Sequence, residues 1–143
     1  MAKGGFDYSE FEKLAEDIKS LEKESKKFIE NFLYRMALRT LAKTKERTPV
    51  DTGDLRNAWY LSGIAWRGDT VMIKLNNPKL YASFVELGHW QEVGRYVPAI
   101  ERRLVNPWVE GRYMLSLSIQ EIEREMPRRL EAAWKKFAAG RLK

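Results

Sequence analysis

The stretch Thr48-Pro49-Val50-Asp51-Thr52-Gly53-Asp54-Leu55-Arg56 separates a long charged segment from the strand-rich middle of the chain. Pro49 fixes its own φ and cannot continue a preceding helix, whereas Gly53 can adopt a positive φ. The side chains of Asp51 and Thr52 can accept hydrogen bonds from the backbone amides that start the next turn. We therefore predict a structural turn built on Pro49, Asp51, Thr52, Gly53 and Leu55.

Upstream of this turn, mostly apolar side chains recur in steps of three and four residues, as they do along one face of a helix. Because no Gly or Pro interrupts this pattern before Pro49, we predict one helix over residues 9–46. At 1.5 Å per residue its length of ~55 Å exceeds the width expected of a globule of this size. The series is Phe11, Leu14, Ile18, Leu21, Ser25, Phe28, Phe32 and Met36.

The two halves of this predicted helix differ in composition. Lysines and glutamates surround a thin apolar seam in the first half, whereas the second half is rich in aromatic residues and is typical of a buried helix. We expect the first half to project, bend or pack on a neighbouring subunit, which favours an oligomeric protein. The candidate interaction residues in this half are Phe11, Leu14, Ile18 and Leu21.

The middle of the chain carries strand and turn signals. Residues 54–58 have the pattern of a short helical turn, and residues 59–66 and 71–75 favour two strands joined at Gly68-Asp69. We predict an antiparallel hairpin there. Residues 81–87 fit either a short helix or a strand, and residues 88–105 fit a long loop or a projecting hairpin. Further candidate interaction residues are Trp90, Tyr96 and Trp108.

A second long helix is predicted at the C-terminal end. Asn106 and Pro107 resemble a cap and a first helical residue, and apolar side chains keep helical spacing after them. Pro127 lacks an amide donor, so we expect a kink or a break there. The fold class is therefore α+β, with a long N-terminal helix, a small antiparallel sheet and a C-terminal helix. We expect a single domain over residues 1–143 in which residues 1–8 are flexible.

Composition excludes several classes of protein. The chain has no cysteine, so it cannot form disulfides or thiolate sites, and its apolar runs are much shorter than the ~20 residues of a membrane span. The net charge is +6, with the basic excess mostly after residue 90. That excess is typical of a solvated helix face with interleaved glutamates, or alternatively of a basic helix that binds DNA.

Candidate chemistry is sparse. Glu86, His89 and Glu92 are spaced by three residues, but Gly88 and the strand-like neighbourhood argue against a metal site. Asp51 and Asp54 fit turn and helix-start positions better than an acid/base pair, and no glycine-rich phosphate loop is present. We predict no enzyme, no metal and no cofactor; a small hydrolase using Asp51, Asp54 and Glu86 is the minority interpretation.

Glu86 stands within the apolar run of residues 81–87. If this carboxylate is buried it needs a partner, because an isolated buried charge is costly. Arg56 and Arg47 are the candidate partners, and we predict a buried ion pair between Glu86 and Arg56.

The order of these segments resembles the gene-product-ten-like family of long-tailed phage and prophage proteins, known as tail-completion or head–tail joining proteins. The resemblance rests on the Thr-Pro-Val-Asp-Thr-Gly-Asp-Leu segment at 48–55, on Tyr-Ala-Ser-Phe-Val-Glu-Leu-Gly at 81–88, and on Asn-Pro-Trp at 106–108 before the last helix. It spans nearly the whole chain.

The resemblance implies a virion structural protein of the neck or tail without an active site. It implies a homo-oligomeric ring, a hexamer, that contacts the head connector on one side and a tail-tube or tail-terminator protein on the other. Weak contact with passing DNA is expected and contact with a membrane is not. Such a protein resides in the virion, and in the host cytoplasm during assembly.

Overall fold

The first helix dominates the structure. The computed structural model describes residues 8–98, 101–103 and 105–141, and helix α1 runs over Tyr8–Arg47. Its 40 residues span roughly 60 Å, which confirms the single long helix predicted from the spacing of apolar residues. Most of residues 1–8, predicted to be flexible, lie outside the described residues.

The C-terminal helix α4, Met114–Arg141, packs antiparallel on the second half of α1. Phe32, Met36 and Ile122 are buried where the two helices meet. Nearer the end of α4, Phe28 contacts the rings of Trp134 and Phe137, with centroids 5.6 and 4.8 Å away. The aromatic half of α1 is therefore the half that its own chain covers.

A row of ion pairs follows the same helix interface. Arg39 meets Glu125 at 2.8 Å, while Lys43 and Arg47 both meet Glu121, at 2.7 and 2.6 Å. Hydrogen bonds from Lys43 and Arg47 lower the pKa of Glu121 to about 2, and the bond from Arg39 lowers the pKa of Glu125. These pairs link the two helices beside their buried contacts.

The predicted start of the C-terminal helix is wrong, and of the two outcomes expected at Pro127, a kink or a break, the break is not observed. The helix begins at Met114 and not at Asn106-Pro107, because residues 108–110 are drawn into a strand. The helix also continues through Pro127, so the alternative of a break is not observed. The missing amide at Pro127 leaves one carbonyl without its helical donor, while α4 keeps its packing on α1 on both sides of the proline.

The middle of the chain forms the predicted antiparallel hairpin in two short ladders. Strand β1, Tyr60–Leu61, pairs with β4, Leu75–Asn76, and β2, Ala65–Arg67, pairs with β3, Thr70–Met72. The amide of Ser62 donates to the carbonyl of Lys74 at 2.8 Å and so links the two ladders.

Short helices flank this hairpin. Helix α2, Asp54–Asn57, follows the turn, as predicted, and helix α3, Ala82–Leu87, settles the ambiguous segment as a helix. Beyond α3, strand β5, Gly88–Trp90, pairs with β8, Trp108–Glu110, and between them β6, Tyr96–Val97, pairs with β7, Arg102–Arg103. Both pairs are antiparallel.

A small core joins the short helices to the long ones. Leu55 of α2, Trp59, Ala82 of α3 and Met114 of α4 form one buried cluster. Because each residue comes from a different segment, this cluster fixes the turn after α1 and the start of α4 relative to each other. The confirmed α+β fold thus consists of a helical pair with a compact joint at one end.

Candidate functional site

A ladder of hydroxyl groups anchors the turn that follows α1. The side chains of Thr40, Thr44 and Thr48 each donate to the carbonyl four residues earlier, at 2.8, 2.7 and 2.6 Å. The indole Nε1–H of Trp59 donates to Thr48 Oγ1 at 2.9 Å. Thr44 and Thr48 are buried, so these bonds satisfy polar groups that water cannot reach.

The predicted turn residues occupy distinct places. Gly53 has φ +88° and precedes α2, and the amide of Asp54 donates to Thr52 Oγ1 at 3.3 Å. Leu55 is buried in the joint, whereas Pro49 and Asp51 are exposed. The turn therefore exposes Pro49 and Asp51 and buries Leu55 as its anchor.

The Glu86 carboxylate has a different partner from the one predicted. It accepts hydrogen bonds from the amides of Leu115 and Ser116, both at 2.9 Å, and from the Ser116 hydroxyl at 2.7 Å. These amides belong to the first turn of α4, where helical N–H groups lack intrahelical acceptors and favour a negative charge. Glu86 thus caps a helix 29 residues away in sequence.

The predicted Glu86–Arg56 ion pair is not formed among the described residues. Arg56 instead donates to the carbonyl of Thr48 at 3.3 Å, and Arg47 is engaged with Ser118 and Glu121. The carboxylate needs no cation because the α4 amides already satisfy it.

Two glycines let the backbone segments at this joint touch. Gly88 has φ +88°, and a Cβ there would lie 2.5 Å from the Val109 carbonyl oxygen. A Cβ on Gly111 would lie 2.4 Å from the carbonyl oxygen of Glu86. The close approach allows the amide of Arg112 to donate to the Val85 carbonyl at 2.7 Å. The end of α3 and the entry to α4 are therefore locked backbone to backbone.

Two of the three sequence segments that carry the family resemblance, residues 48–55 and 81–88, face each other. A groove of about 300 Å³ lies between the turn and α3, with Val50, Asp51 and Leu55 on one side and Tyr81 and Val85 on the other. The structure brings these segments together although about 30 residues separate them in sequence.

Several large apolar side chains between residues 80 and 108 are exposed. Leu80 is 93% exposed and Trp90 is 75% exposed, values unusual for large apolar residues. Exposed apolar surface of this kind marks protein–protein contact sites. We call this set the α3–hairpin surface; its members are Leu80, Phe84, Leu87, Trp90, Tyr96 and Trp108.

The α3–hairpin surface is held in shape by ring contacts and hydrogen bonds. The rings of Trp90 and Trp108 meet edge to face with centroids 5.1 Å apart. Glu110 accepts hydrogen bonds from the Trp108 indole at 3.2 Å and from the Tyr113 hydroxyl at 3.0 Å. The bond to Glu110 and the negative charge of its carboxylate raise the pKa of Tyr113.

The candidate interaction residues of α1 lie in a different region. Ile18 is 57% exposed and Leu21 is 46% exposed, on the part of the helix that precedes the contacts with α4. The side chains of Phe11 and Leu14 lie outside the described part of the structure. Ile18 and Leu21 are thus separated along the chain from the α3–hairpin surface, and further apolar residues are exposed elsewhere, among them Tyr34, Leu38, Leu130 and Trp134.

Residues considered for chemistry are dispersed or otherwise engaged. Glu86 is bound to α4, while His89 lies in β5 with its ring 5.8 Å from that of Phe84. Among the described residues no group of His, Asp and Glu has the arrangement of a metal site. Within the same residues no helix has the length and hydropathy needed to span a membrane.

The basic residues of α4 are partly committed to the fold. Arg129 pairs with Glu125 at 3.0 Å and Lys135 pairs with Glu131 at 3.1 Å, while Arg124 and Arg128 are exposed. This alternation of signs is the solvated helix face considered above, and it gives no added support to DNA binding.

These features describe an α+β fold with a closely packed joint and with exposed apolar residues on α1 and on the α3–hairpin surface. Residues 12–88 match a family model described as "Bacteriophage HK97-gp10, putative tail-component". Because the match covers more than half of the chain, the chain belongs to this HK97-gp10-like family, and the resemblance noted from the sequence is confirmed. Searches of curated proteins and of solved structures each gave no significant match.

Family membership describes the protein as a phage tail component. Such a component is structural, resides in the virion and contacts other virion proteins. Two segments at the joint fall within the matched residues 12–88: the turn that follows α1, and helix α3.

Proposed function

We propose that the protein joins head and tail as a tail-completion subunit that forms a ring at the neck. The observation that carries this proposal is that large apolar side chains are exposed on different parts of one small chain, among them Ile18 and Leu21 on α1 and Leu80 and Trp90 on the α3–hairpin surface. A ring subunit uses two different surfaces, because each copy contacts a neighbour on either side.

The rigid joint supports such a role. Three features hold the α3–hairpin surface in a fixed position relative to the helical pair. They are the Glu86 cap on α4, the close backbone contacts at Gly88 and Gly111, and the buried cluster at the joint. A ring closes only when each interface repeats the same rotation, so a subunit with a fixed geometry is suited to the task. We propose six copies, with the head connector on one side and a tail-tube or tail-terminator protein on the other.

This proposal includes no enzymatic step, no metal and no cofactor. The subunit would assemble in the host cytoplasm and remain in the virion, with DNA passing nearby in weak contact. Binding of DNA as the main function is the alternative, and a search for salt-dependent duplex binding tests it directly.

Deletion of the gene in a phage or prophage that carries it tests the joining role. We expect electron microscopy to show filled heads and separate tails, and the wild-type gene supplied in trans should restore joined particles. A Trp90→Ala variant should restore them poorly, because the exposed indole contributes contact area. Met72→Ala, an exposed apolar residue of β3, is the matched control. Normal particles from the deletion would refute the proposal.

A further inference from the structure

The apolar face of α1 continues past the end of its partner helix. Phe28, Phe32 and Met36 lie on this face and pack against α4. About two and three turns before Phe28 the same face presents Leu21 and Ile18, which are 46% and 57% exposed. We call residues 17–22 of this uncovered stretch the α1 seam.

The charges beside the α1 seam are acidic. At about 100° per residue, Asp17 and Glu22 lie within about 80° of the centre of the face formed by Ile18 and Leu21. Both carboxylates are on exposed residues, and Glu22 lies 3.8 Å from Lys26 in a solvent-exposed ion pair one turn along the helix. The lysines within and next to the seam lie about 110° or more from its centre; they are Lys13, Lys19, Lys23 and Lys26.

This charge pattern argues against pairing of two identical seams. Two copies of the seam placed together would bring their carboxylates beside one another, and like charges at such positions oppose pairing. A suitable cover for the seam must therefore be apolar in its centre and cationic at its edges.

A groove with that character lies on the helical pair. It has a volume of about 550 Å³ and runs between α1 and α4, with Phe32, Met36 and Ala133 among its apolar lining. Four cationic side chains also line the groove, namely Arg35, Arg39, Arg129 and Lys136.

The groove keeps most of its positive charge. Glu125 neutralises part of it by bonding to both Arg39 and Arg129. Arg35 and Lys136 are exposed, and among the described residues neither forms an ion pair. A neighbouring carboxylate could approach these two cations without displacing an existing partner.

We propose that the α1 seam of one subunit docks in the α1–α4 groove of the next subunit. This inference rests on the proposed ring, and it names the contact that would connect each subunit of the ring to the next. The contact is head-to-tail, because seam and groove are different surfaces, and such contacts form closed rings when the rotation closes. The seam cannot reach the groove of its own chain, since both lie on the same rigid helix about 17 residues apart, or roughly 25 Å.

Disulfide trapping tests this contact cleanly, because the native chain contains no cysteine. We expect Leu21→Cys and Leu38→Cys, placed in one chain, to yield a covalent ladder on mild oxidation, ending at the mass of the closed ring. Leu38 is exposed at the groove. The two cysteines of one chain cannot form a disulfide with each other, because the Cα atoms of a disulfide must lie within about 7 Å and these positions are roughly 25 Å apart on one helix. Lys23→Cys combined with Leu38→Cys is the matched control, with the thiol on the far side of α1, and should give little cross-linking.

Charge exchange gives a second and independent readout. Asp17→Lys with Glu22→Lys should weaken ladder formation in the cysteine variant by roughly tenfold, and so should Arg35→Glu with Lys136→Glu. All four changes in one chain should restore it, since the attraction is re-formed with opposite signs. Because these side chains are exposed, unchanged circular dichroism should show that the variants remain folded.

Several outcomes would overturn the inference. Efficient homodimers of the Leu21→Cys single variant would show seam-to-seam pairing, and a missing ladder would exclude the contact. If no ladder forms and duplex DNA binds the wild-type chain but not the variant with Arg35→Glu and Lys136→Glu, the groove is a DNA-binding site and the inference is wrong. If light scattering shows a ring while the ladder is absent, this contact alone is refuted; if neither appears, the proposed function fails as well.

Discussion

Replacement of Glu86 tests the structural joint most sharply. Glu86→Ala removes three hydrogen bonds to the start of α4, two of them to backbone amides. A lost helix cap costs about 0.5–2 kcal/mol, and a hydrogen bond to a charged group contributes about 1.5–3 kcal/mol. Because water can reach this half-buried site in the variant, we expect a loss of about 2–3 kcal/mol in the free energy of unfolding.

In a chain of this length such a loss lowers the Tm by roughly 6–10 °C. Thermal unfolding followed by circular dichroism, at two protein concentrations to account for assembly, measures the shift. Glu86→Gln keeps one acceptor oxygen and should lose about half as much. Glu92→Ala, which removes an exposed carboxylate in the loop after β5, is the control and should change Tm little. An equal Tm for Glu86→Ala and wild type would refute the assigned cap.

Three further predictions concern the helix interface and the joint. Because the pKa of Glu121 is lowered in the folded state, the ionised carboxylate contributes its full stabilisation above its usual pKa of 4.5 and loses it as the pH falls toward about 2. The Tm difference between wild type and Glu121→Gln should therefore be large at pH 6 and vanish near pH 2. A Tm difference that is constant with pH would contradict this assignment. Gly88→Ala places a Cβ against a backbone carbonyl at a residue with positive φ, and it should lower the free energy of unfolding in urea by more than about 2 kcal/mol. Gly63→Ala is the control and should be nearly neutral, because open space surrounds that position. Equal losses for the two variants would refute the close contact. Thr48→Val leaves the Trp59 indole N–H buried without an acceptor and should cost about 1–3 kcal/mol, and adding Trp59→Phe should cost less than the sum of the two single changes. Additive costs in that double-mutant cycle would contradict the hydrogen bond.

Local patterns were sufficient to predict the elements whose stability is local. The uninterrupted apolar spacing before Pro49 defines α1, and Gly68-Asp69 between two β-favouring runs defines the hairpin of β2 and β3. These signals lie within a few residues of the structures they determine, so a single sequence is enough to read them.

Long-range contacts decided the elements that the sequence misplaced. Asn106-Pro107 has the composition of a helix start, but pairing of Trp108–Glu110 with Gly88–Trp90 places these residues in a strand and delays the helix to Met114. Pro127 was expected to disturb α4. A proline costs about 3 kcal/mol inside a helix, and packing of Ile122, Met126 and other residues against α1 offsets that cost.

The candidate site shows the same division. The need of Glu86 for a partner could be read from its apolar neighbours, but the partner is a set of backbone amides that carry no side-chain signature. The available signal was that the sequence has no good N-cap residue where α4 begins, so that the first amides of this helix need an acceptor from elsewhere in the chain. The α1–α4 groove could not be predicted, because its cationic residues come from two helices whose register is set by tertiary packing.

Light scattering of the full-length wild-type chain, alone and mixed with a tail-tube protein, tests the central claim most directly. If companions cover the exposed segments of α1 and the α3–hairpin surface, one discrete oligomer should form in at least one of the two samples, and high salt should weaken it. A monomer in both samples, at every concentration and ionic strength, would contradict the account.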